Sequence, residues 1–310
     1  MTERLRIEEE IPAALGGERL DRVVALIASI SRSEAAALIT DGGVEVDGAA
    51  APSGKDRLVT GQTIVIDLGR LRRVGPAQPD ADVPFDVVHA DEQLIVVDKP
   101  AGVVVHPAPG RPDGTLVNGL LSRFPDLARA HGDPQRPGIV HRLDAGSSGL
   151  LVVARTADAA AVLSAQFRDR SAGRRYQALV WGHPGADQAL IDAPIGINPN
   201  DPLRRSVVSN GKPARTRYVV TARFDQPGEL AEVVCTLETG RTHQIRVHLA
   251  AVGHPIVGDQ VYGHGVPALG MARPYLHAFE LSVNHPATGE RMTWTSPLAD
   301  DLAALRATLT

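Results

Sequence analysis

The sequence predicts an α+β protein in two parts, a small N-terminal α/β unit followed by a larger unit dominated by strands. Three observations carry this. The chain has 310 residues, room for two domains at roughly 150 residues each. Helical apolar spacing occurs only in short stretches, and between them lie many short apolar or alternating runs. Those runs do not alternate regularly with long helices, which argues against a doubly wound parallel sheet.

Composition fits a folded, water-soluble chain. Hydrophobic residues make up 43% and charged residues 22%, which excludes wholesale disorder. A chain of this length buries a core without disulfides. The single cysteine, Cys235, excludes a disulfide framework and a cysteine-based zinc site, and its setting, Val233-Val234-Cys235-Thr236-Leu237, reads as a buried strand. No apolar stretch follows the charges of Met1 to Glu10, so no signal peptide is expected. Runs such as Leu150 to Ala154 are too short to span a bilayer. The expectation is a cytoplasmic protein with no membrane partner. The net charge of −4, from 32 Lys+Arg against 36 Asp+Glu, gives no support to a nucleic-acid partner. It does not exclude one either, because phosphate binding needs a local basic surface. With 4% aromatic residues, a binder built on stacked bases is disfavoured.

The elements follow in order. Residues 1–68 form the predicted small unit. Leu20, Val23, Val24 and Ile27 share helical spacing. Ser31-Arg32-Ser33-Glu34 fits a capping box with Ser31 as N-cap, the helix runs from Ala35 to Thr40, and Gly42-Gly43 stops it. Val44 and Val46 alternate with polar residues, Asp47-Gly48 is a tight-turn signal, and Ile64-Val65-Ile66 is a further strand. Residues 69–82 lack apolar period and carry glycine and proline, so they read as a linker. Its Arg70, Arg72 and Arg73 would meet a phosphate backbone or simply be solvated. From residue 83 to 310 strands are expected at Leu94 to Val97, Leu150 to Ala154, Tyr176 to Val180, Thr216 to Thr221, Val233 to Leu237 and Gln244 to Leu249. Helices are expected at Thr115 to Phe124 and Ala159 to Phe167.

Two segments carry candidate chemistry. In Gly138-Ile139-Val140-His141-Arg142-Leu143-Asp144-Ala145-Gly146-Ser147-Ser148-Gly149, a short apolar lead runs into a turn that holds one carboxylate, Asp144, ahead of a buried strand. Loops on a rigid scaffold are where catalytic groups sit, although an Asp that caps its own turn looks the same locally. In Gly240-Arg241-Thr242-His243-Gln244-Ile245-Arg246-Val247-His248-Leu249, a strand would place Thr242, Gln244, Arg246 and His248 on one face and His243, Ile245, Val247 and Leu249 on the other. A functional wall and a plain polar surface would both have this pattern. His243 and His248 then fall on opposite faces, and no His-Glu-x-x-His or Cys/His cluster is present, so no metal site is expected.

Taken together, these motifs resemble the RluA/RluD family of pseudouridine synthases. The resemblance rests on His141-Arg142-Leu143-Asp144 with Ser147-Ser148-Gly149, on Gly240 to His248, and on Gly253-His254-Pro255-Ile256-Val257-Gly258-Asp259. Lys99-Pro100-Ala101-Gly102 with His106-Pro107, Gly114-Thr115-Leu116-Val117-Asn118 and Gly211 to Thr216 add to it. It covers residues 83–300 nearly without a break. The N-terminal unit resembles the small RNA-binding domain named after ribosomal protein S-four. The resemblance implies a catalytic domain on a mainly antiparallel mixed sheet with flanking helices. It also implies conversion of uridine to pseudouridine in RNA, with large-subunit (23S) ribosomal RNA as the leading substrate and transfer RNA as the alternative. No cofactor is implied, and a monomer is expected.

The family's chemistry implies roles for particular residues. Asp144 matches the carboxylate that acts at the sugar–base junction, as nucleophile or as base. Arg246 matches the arginine that pairs with it and favours its ionised form. Tyr176 matches the tyrosine that packs on the base and can assist proton transfer. Arg142 matches the arginine that enters the RNA stack as the uridine leaves, which offsets lost stacking, and His141 precedes it in the motif. Arg168, Arg174 and Arg175, with Arg170, form a basic cluster that would meet phosphates, followed by Arg204, Arg205, Lys212, Arg215 and Arg217. Arg19, Arg22 and Arg32 are the matching candidates in the small unit. The chain departs from the family in having Ser147 where Thr is common and Ala145-Gly146 where charges are common, which bears on target choice.

Two rivals remain. Ala145 to Gly149 is one residue off a Gly-x-Ser-x-Gly hydrolase elbow, which requires a strand before and a helix after. A catalytically silent RNA binder would be expected to lack Asp144 or Arg246, and both are present.

Overall fold

The computed structural model describes residues 6–30, 32–71, 76–107, 111–130, 133–201, 203–263 and 265–310. The capping position Ser31 and the arginines Arg72 and Arg73 lie outside the described residues. The chain divides into two compact units, Met1–Val74 and Gly75–Thr310.

In the first unit, β1 (Arg6–Glu10), β2 (Val44–Val46), β3 (Ala49–Ala50) and β4 (Thr63–Asp67) form an antiparallel sheet in the order β1-β4-β2-β3, alongside α1 (Leu20–Ile27) and α2 (Arg32–Thr40). Helical spacing puts Leu20, Val23 and Val24 on the buried side of α1, where they pack with Leu38, Ile39, Val44, Ile64 and Ile66. Asp47 and Gly48 both have positive φ, 51° and 77°, the geometry that lets a two-residue turn follow the strand twist between β2 and β3. Leu68 and Leu71 pack on this core. Ala77 and Asp80, further along the segment read as a linker, donate backbone bonds to Pro134 O and Asn118 O in the second unit.

The second unit contains, in order, β5 (Asp86–Ala90), β6 (Leu94–Lys99), α3 (Leu116–Arg123), β7 (Ser148–Ala154), α4 (Ala157–Asp169), β8 (Gly173–Trp181), β9 (Gln188–Asp192), β10 (Ile195–Ile197), β11 (Arg205–Val207), β12 (Arg215–Phe224), β13 (Leu230–Leu237), α5 (Gln244–Ala251), β14 (Leu276–Asn284), β15 (Arg291–Thr295) and α6 (Asp300–Arg306). Among the described residues, nine strands form one mixed sheet, β5-β6-β7-β14-β8-β13-β12-β9, with β15 on β14. Its pairings are antiparallel except β7 with β14. The expected α+β class and mainly antiparallel sheet are found.

The continuous apolar runs at β6 and β7 follow from burial on both faces. Leu94, Val96, Leu150 and Val152 pack with Ala159, Ala160 and Leu163 of α4, while Ile95, Val97, Leu151 and Val153 join the core that holds Leu116, Val117 and Leu120 of α3. Cys235 is fully buried on β13, as its setting suggested.

The predicted strand from Gln244 to Leu249 is instead helix α5. Every residue from Gln244 to Leu249 is buried. Polar and apolar residues alternate there without marking wet and dry faces, because the polar side chains are buried with partners. Gln244 Nε2 donates to Arg215 O and Thr216 Oγ1, both at 3.0 Å. The His248 ring bonds Thr216 Oγ1 and Ala193 O, both at 2.9 Å.

Candidate active site

Asp144 sits in the turn before β7. Ser147 N donates to Asp144 O at 3.1 Å, so main chain closes the turn. The next two carbonyls are each gripped by a cation. Ala145 O accepts from Gly102 N at 2.7 Å and from Lys99 Nζ at 3.4 Å. Gly146 O accepts from Arg273 at 3.3 Å, and Asp301 of α6 fixes Arg273 through two bonds of 2.6 Å. Lys99 is fully buried and also donates to Pro100 O at 2.7 Å and Val103 O at 2.9 Å. Burial, and then the nearby Arg273, push its ammonium down to about 7 against the pull of Asp144 and Asp98. The Asp144 carboxylate, 17% exposed, faces Arg246 Nη1 at 3.5 Å.

Arg246 is aimed by Asp259. Its Nε and Nη2 donate to the two Asp259 oxygens at 2.7 and 2.8 Å, which leaves Nη1 directed at Asp144. Burial opposes both charges, but the two hydrogen bonds outweigh it, so Arg246 is held above and Asp259 below its ordinary value. Such a two-pronged fork fixes direction as well as charge. Asp259 also accepts from Val261 N and Tyr262 N at 2.9 and 3.0 Å. The Arg246 guanidinium lies 5.0 Å over the Tyr262 ring. The Tyr262 hydroxyl accepts from Arg205 N at 3.0 Å and bonds His243 Nδ1 at 2.8 Å. His243 precedes α5 in the left-handed region, φ 58°, a conformation that costs a non-glycine residue about 1–2 kcal/mol. Burial holds its imidazole below the usual value.

These groups open into a cavity of about 460 Å³ whose lining includes Arg142, Asp144, Phe167, Arg174, Tyr176 and Arg246. That volume is in the range of small-ligand sites. Tyr176, on β8, is buried, and burial together with Asp144 pushes its phenol up to about 12, with Arg174 opposing. At neutral pH it is therefore a neutral group with a donatable proton. Two residues earlier on the same face of β8, Arg174 lies 5.2 Å over the Phe167 ring, and His141 stacks on Phe167 at 4.3 Å. Burial, and then Arg174, bring the His141 imidazole down to about 3, and its Nε2 accepts from Val152 N at 3.0 Å. His141 is thus a neutral wall of the cavity.

Of the sequence-derived site residues, the structure brings together Asp144, Tyr176, Arg246, Arg142, His141, Arg168 and Arg174 around one cavity. Arg175 is on the other face of β8, bonded to Glu280 at 2.9 Å. In the first unit, Arg19 and Arg32 both bond Asp21, and Arg22 bonds Glu18 at 2.8 Å. Arg215 and Arg217 pair with Glu238. Sequence reasoning assigned no role to Lys99, Asp259, Arg273 or His243. Lys99, Asp259 and His243 stood inside quoted motifs, and a charged residue flanked by apolar ones, as in Val97-Asp98-Lys99-Pro100, was a usable signal.

The hydrolase geometry is not met. The serine at the centre of that elbow is Ser147, 2% exposed, and strand β7 follows it where the elbow requires a helix. Ser148 bonds His277 Nδ1 at 3.0 Å, but both are buried, at 2% and 1% exposure, which leaves no access for an acyl substrate. Among the described residues no group of three or more His, Cys, Asp or Glu is placed to hold a metal ion, and no helix is long and apolar enough to cross a membrane.

A carboxylate faced by an aimed arginine, in a cleft lined by six arginines, defines an enzyme that handles a polyanionic substrate. The family profile described as RNA pseudouridylate synthase matches residues 93–251. A Nitrosomonas europaea protein named ribosomal large subunit pseudouridine synthase D is 44% identical over 96% of this chain and 86% of its own. A Pseudomonas aeruginosa protein of the same name is 41% identical over 97% of this chain and 95% of its own. The solved human RNA pseudouridylate synthase domain containing 1 superposes with TM-score 0.60 at 30% identity, covering 75% of this chain and 91% of that one. This chain belongs to the RNA pseudouridylate synthase family.

Proposed function

We propose that this protein converts selected uridines of large-subunit ribosomal RNA to pseudouridine, with Asp144 as the carboxylate acting at the ribose–base junction. The observation that carries the residue assignment is the Asp144–Arg246 pair at 3.5 Å inside the arginine-lined cleft. The names of the full-length bacterial relatives support the ribosomal substrate.

The reaction is a rearrangement within one nucleotide. The bond from N1 to C1′ breaks, a bond from C5 to C1′ forms, C5 loses its hydrogen as a proton and N1 gains one. Arg246 faces the Asp144 carboxylate at 3.5 Å and so fixes where it stands for work at the ribose. Tyr176 packs on the base and, as a neutral phenol, donates or relays a proton. Arg142, exposed at the rim, fills the RNA stack that the uridine vacates. The first unit, read as an S-four-like domain, adds RNA contact. The protein is read as a monomer, and a ribosomal substrate supports a cytoplasmic location.

Release of tritium from RNA carrying 5-tritiated uridine reads loss of the C5 hydrogen directly. Release by the purified protein is expected without added cofactor. Mapping pseudouridine in ribosomal RNA from a strain lacking the gene identifies the positions, and a large-subunit map identical to the parent strain's would overturn the substrate assignment.

A further inference from the structure

We infer that Arg174 is a phosphate-binding subsite within the cleft, occupied by a phosphate of the same nucleotide whose base lies against Tyr176; this rests on the uridine-isomerising reading above. Arg174 is only 6% exposed, yet among the described residues its one hydrogen bond is a long 3.4 Å contact from Nη2 to Leu237 O. Its Nε is buried with no partner. Its guanidinium lies over the face of Phe167, 5.2 Å from the ring centre. The other buried guanidinium of the cleft, Arg246, is held by two bonds to Asp259. Of the two carboxylates that line the cavity, Asp144 faces Arg246 and Glu238 pairs with Arg215 and Arg217. A buried cation without a carboxylate is costly in the free protein, and an unpaired buried donor adds to that cost. A phosphate oxygen arriving with substrate satisfies both, in a short charge-assisted bond.

Position agrees with chemistry. Arg174 and Tyr176 project from the same face of β8, about 7 Å apart along the strand, which is the scale of one nucleotide. Gly240 keeps the approach open: a Cβ there would stand 2.7 Å from Arg174 Nη1.

The test uses the full chain and three probes: uridine, uridine 5′-monophosphate and uridine 3′-monophosphate, titrated by ligand-observed NMR at fixed ionic strength. One monophosphate is expected to bind roughly tenfold more tightly than uridine, and which one assigns the phosphate. Arg174→Met should cut that gain to within about twofold while leaving uridine affinity unchanged, and Gly240→Ala, which displaces the guanidinium, should reduce it. Arg223→Gln, a surface arginine paired with Asp187, should keep it. Melting temperature supplies a second readout: Arg174→Met should melt no lower than the parent, because it removes an uncompensated buried charge. No phosphate gain in the parent, a gain that survives in Arg174→Met, or a melting temperature that falls by several degrees would each overturn the subsite. Uridine binding without a phosphate gain would leave the uridine reading standing, whereas failure of all three probes to bind would count against both.

Discussion

Replacing Asp144 by Asn removes a charge without removing a contact that the loop needs. The turn is closed by main chain, its next carbonyls are held by Lys99 and Arg273, and Arg246 keeps its fork to Asp259. Asp144→Asn should therefore keep melting temperature and RNA affinity close to the parent while turnover falls by at least about a thousandfold. Single-turnover tritium release checks this, and residual activity above that level would remove Asp144 from its role. Lys99 gives the opposite kind of prediction, in stability. Its pKa falls from 10.5 to about 7 on folding, so the unfolded chain binds more protons between those values. The cost of burying the ammonium is complete below about pH 7 and fades as pH rises towards 10.5. Relative to Lys99→Met, the parent should gain stability from pH 7 to 9 by up to about 1.4 kcal/mol per unit. Urea melts of both proteins at the two pH values decide it; parallel curves would mean that Lys99 does not titrate in that window.

At the scale of elements, the site depends on where β7 leaves the catalytic turn. Gly149 has φ +112°, and a Cβ there would lie 2.3 Å from Ala278 O on β14. That contact is at the parallel junction, where Ala278 pairs with Gly149 and His277 with Ser148. Gly149→Ala must strain the backbone and push β7 from β14, a cost of roughly 1–3 kcal/mol. The shift would also disturb Ser148, which receives a bond from Arg273 at 3.2 Å. Denaturant melts should show the stability loss, and turnover should fall with it even where the protein remains folded. The strands on either side were legible because burial on both faces of β6 and β7 leaves unbroken apolar runs. Helix α5 was not. Its polar residues are buried against distant partners such as Ala193 and Thr216, and local periodicity carries no information about a partner far along the chain. The same reason hid Lys99 and Arg273, whose importance lies in carbonyls 46 and 127 residues away. Asp144, Tyr176 and Arg246 were found through motif resemblance, since the local pattern at Asp144 fits a turn cap equally well.

At the scale of the whole molecule, the question is what the first unit contributes. Asp144, Tyr176 and Arg246 all belong to the second unit, so the proposed chemistry should not require the first. If the first unit binds RNA as proposed, covalent attachment would let it add a second contact at raised effective concentration. Its candidate arginines are partly neutralised, because Arg19, Arg22 and Arg32 face Asp21 and Glu18, three cations against two carboxylates. Its electrostatic share should therefore be modest. Removing residues 1–74 should weaken RNA binding and flatten the dependence of log affinity on log salt by about one to two units, the effect of losing one or two phosphate contacts. The single-turnover rate at saturating RNA should change little. Measuring the salt slope and the saturated rate in full-length and truncated protein separates the roles. An unchanged slope with a collapsed rate would make the first unit part of the active-site structure and refute this division of labour.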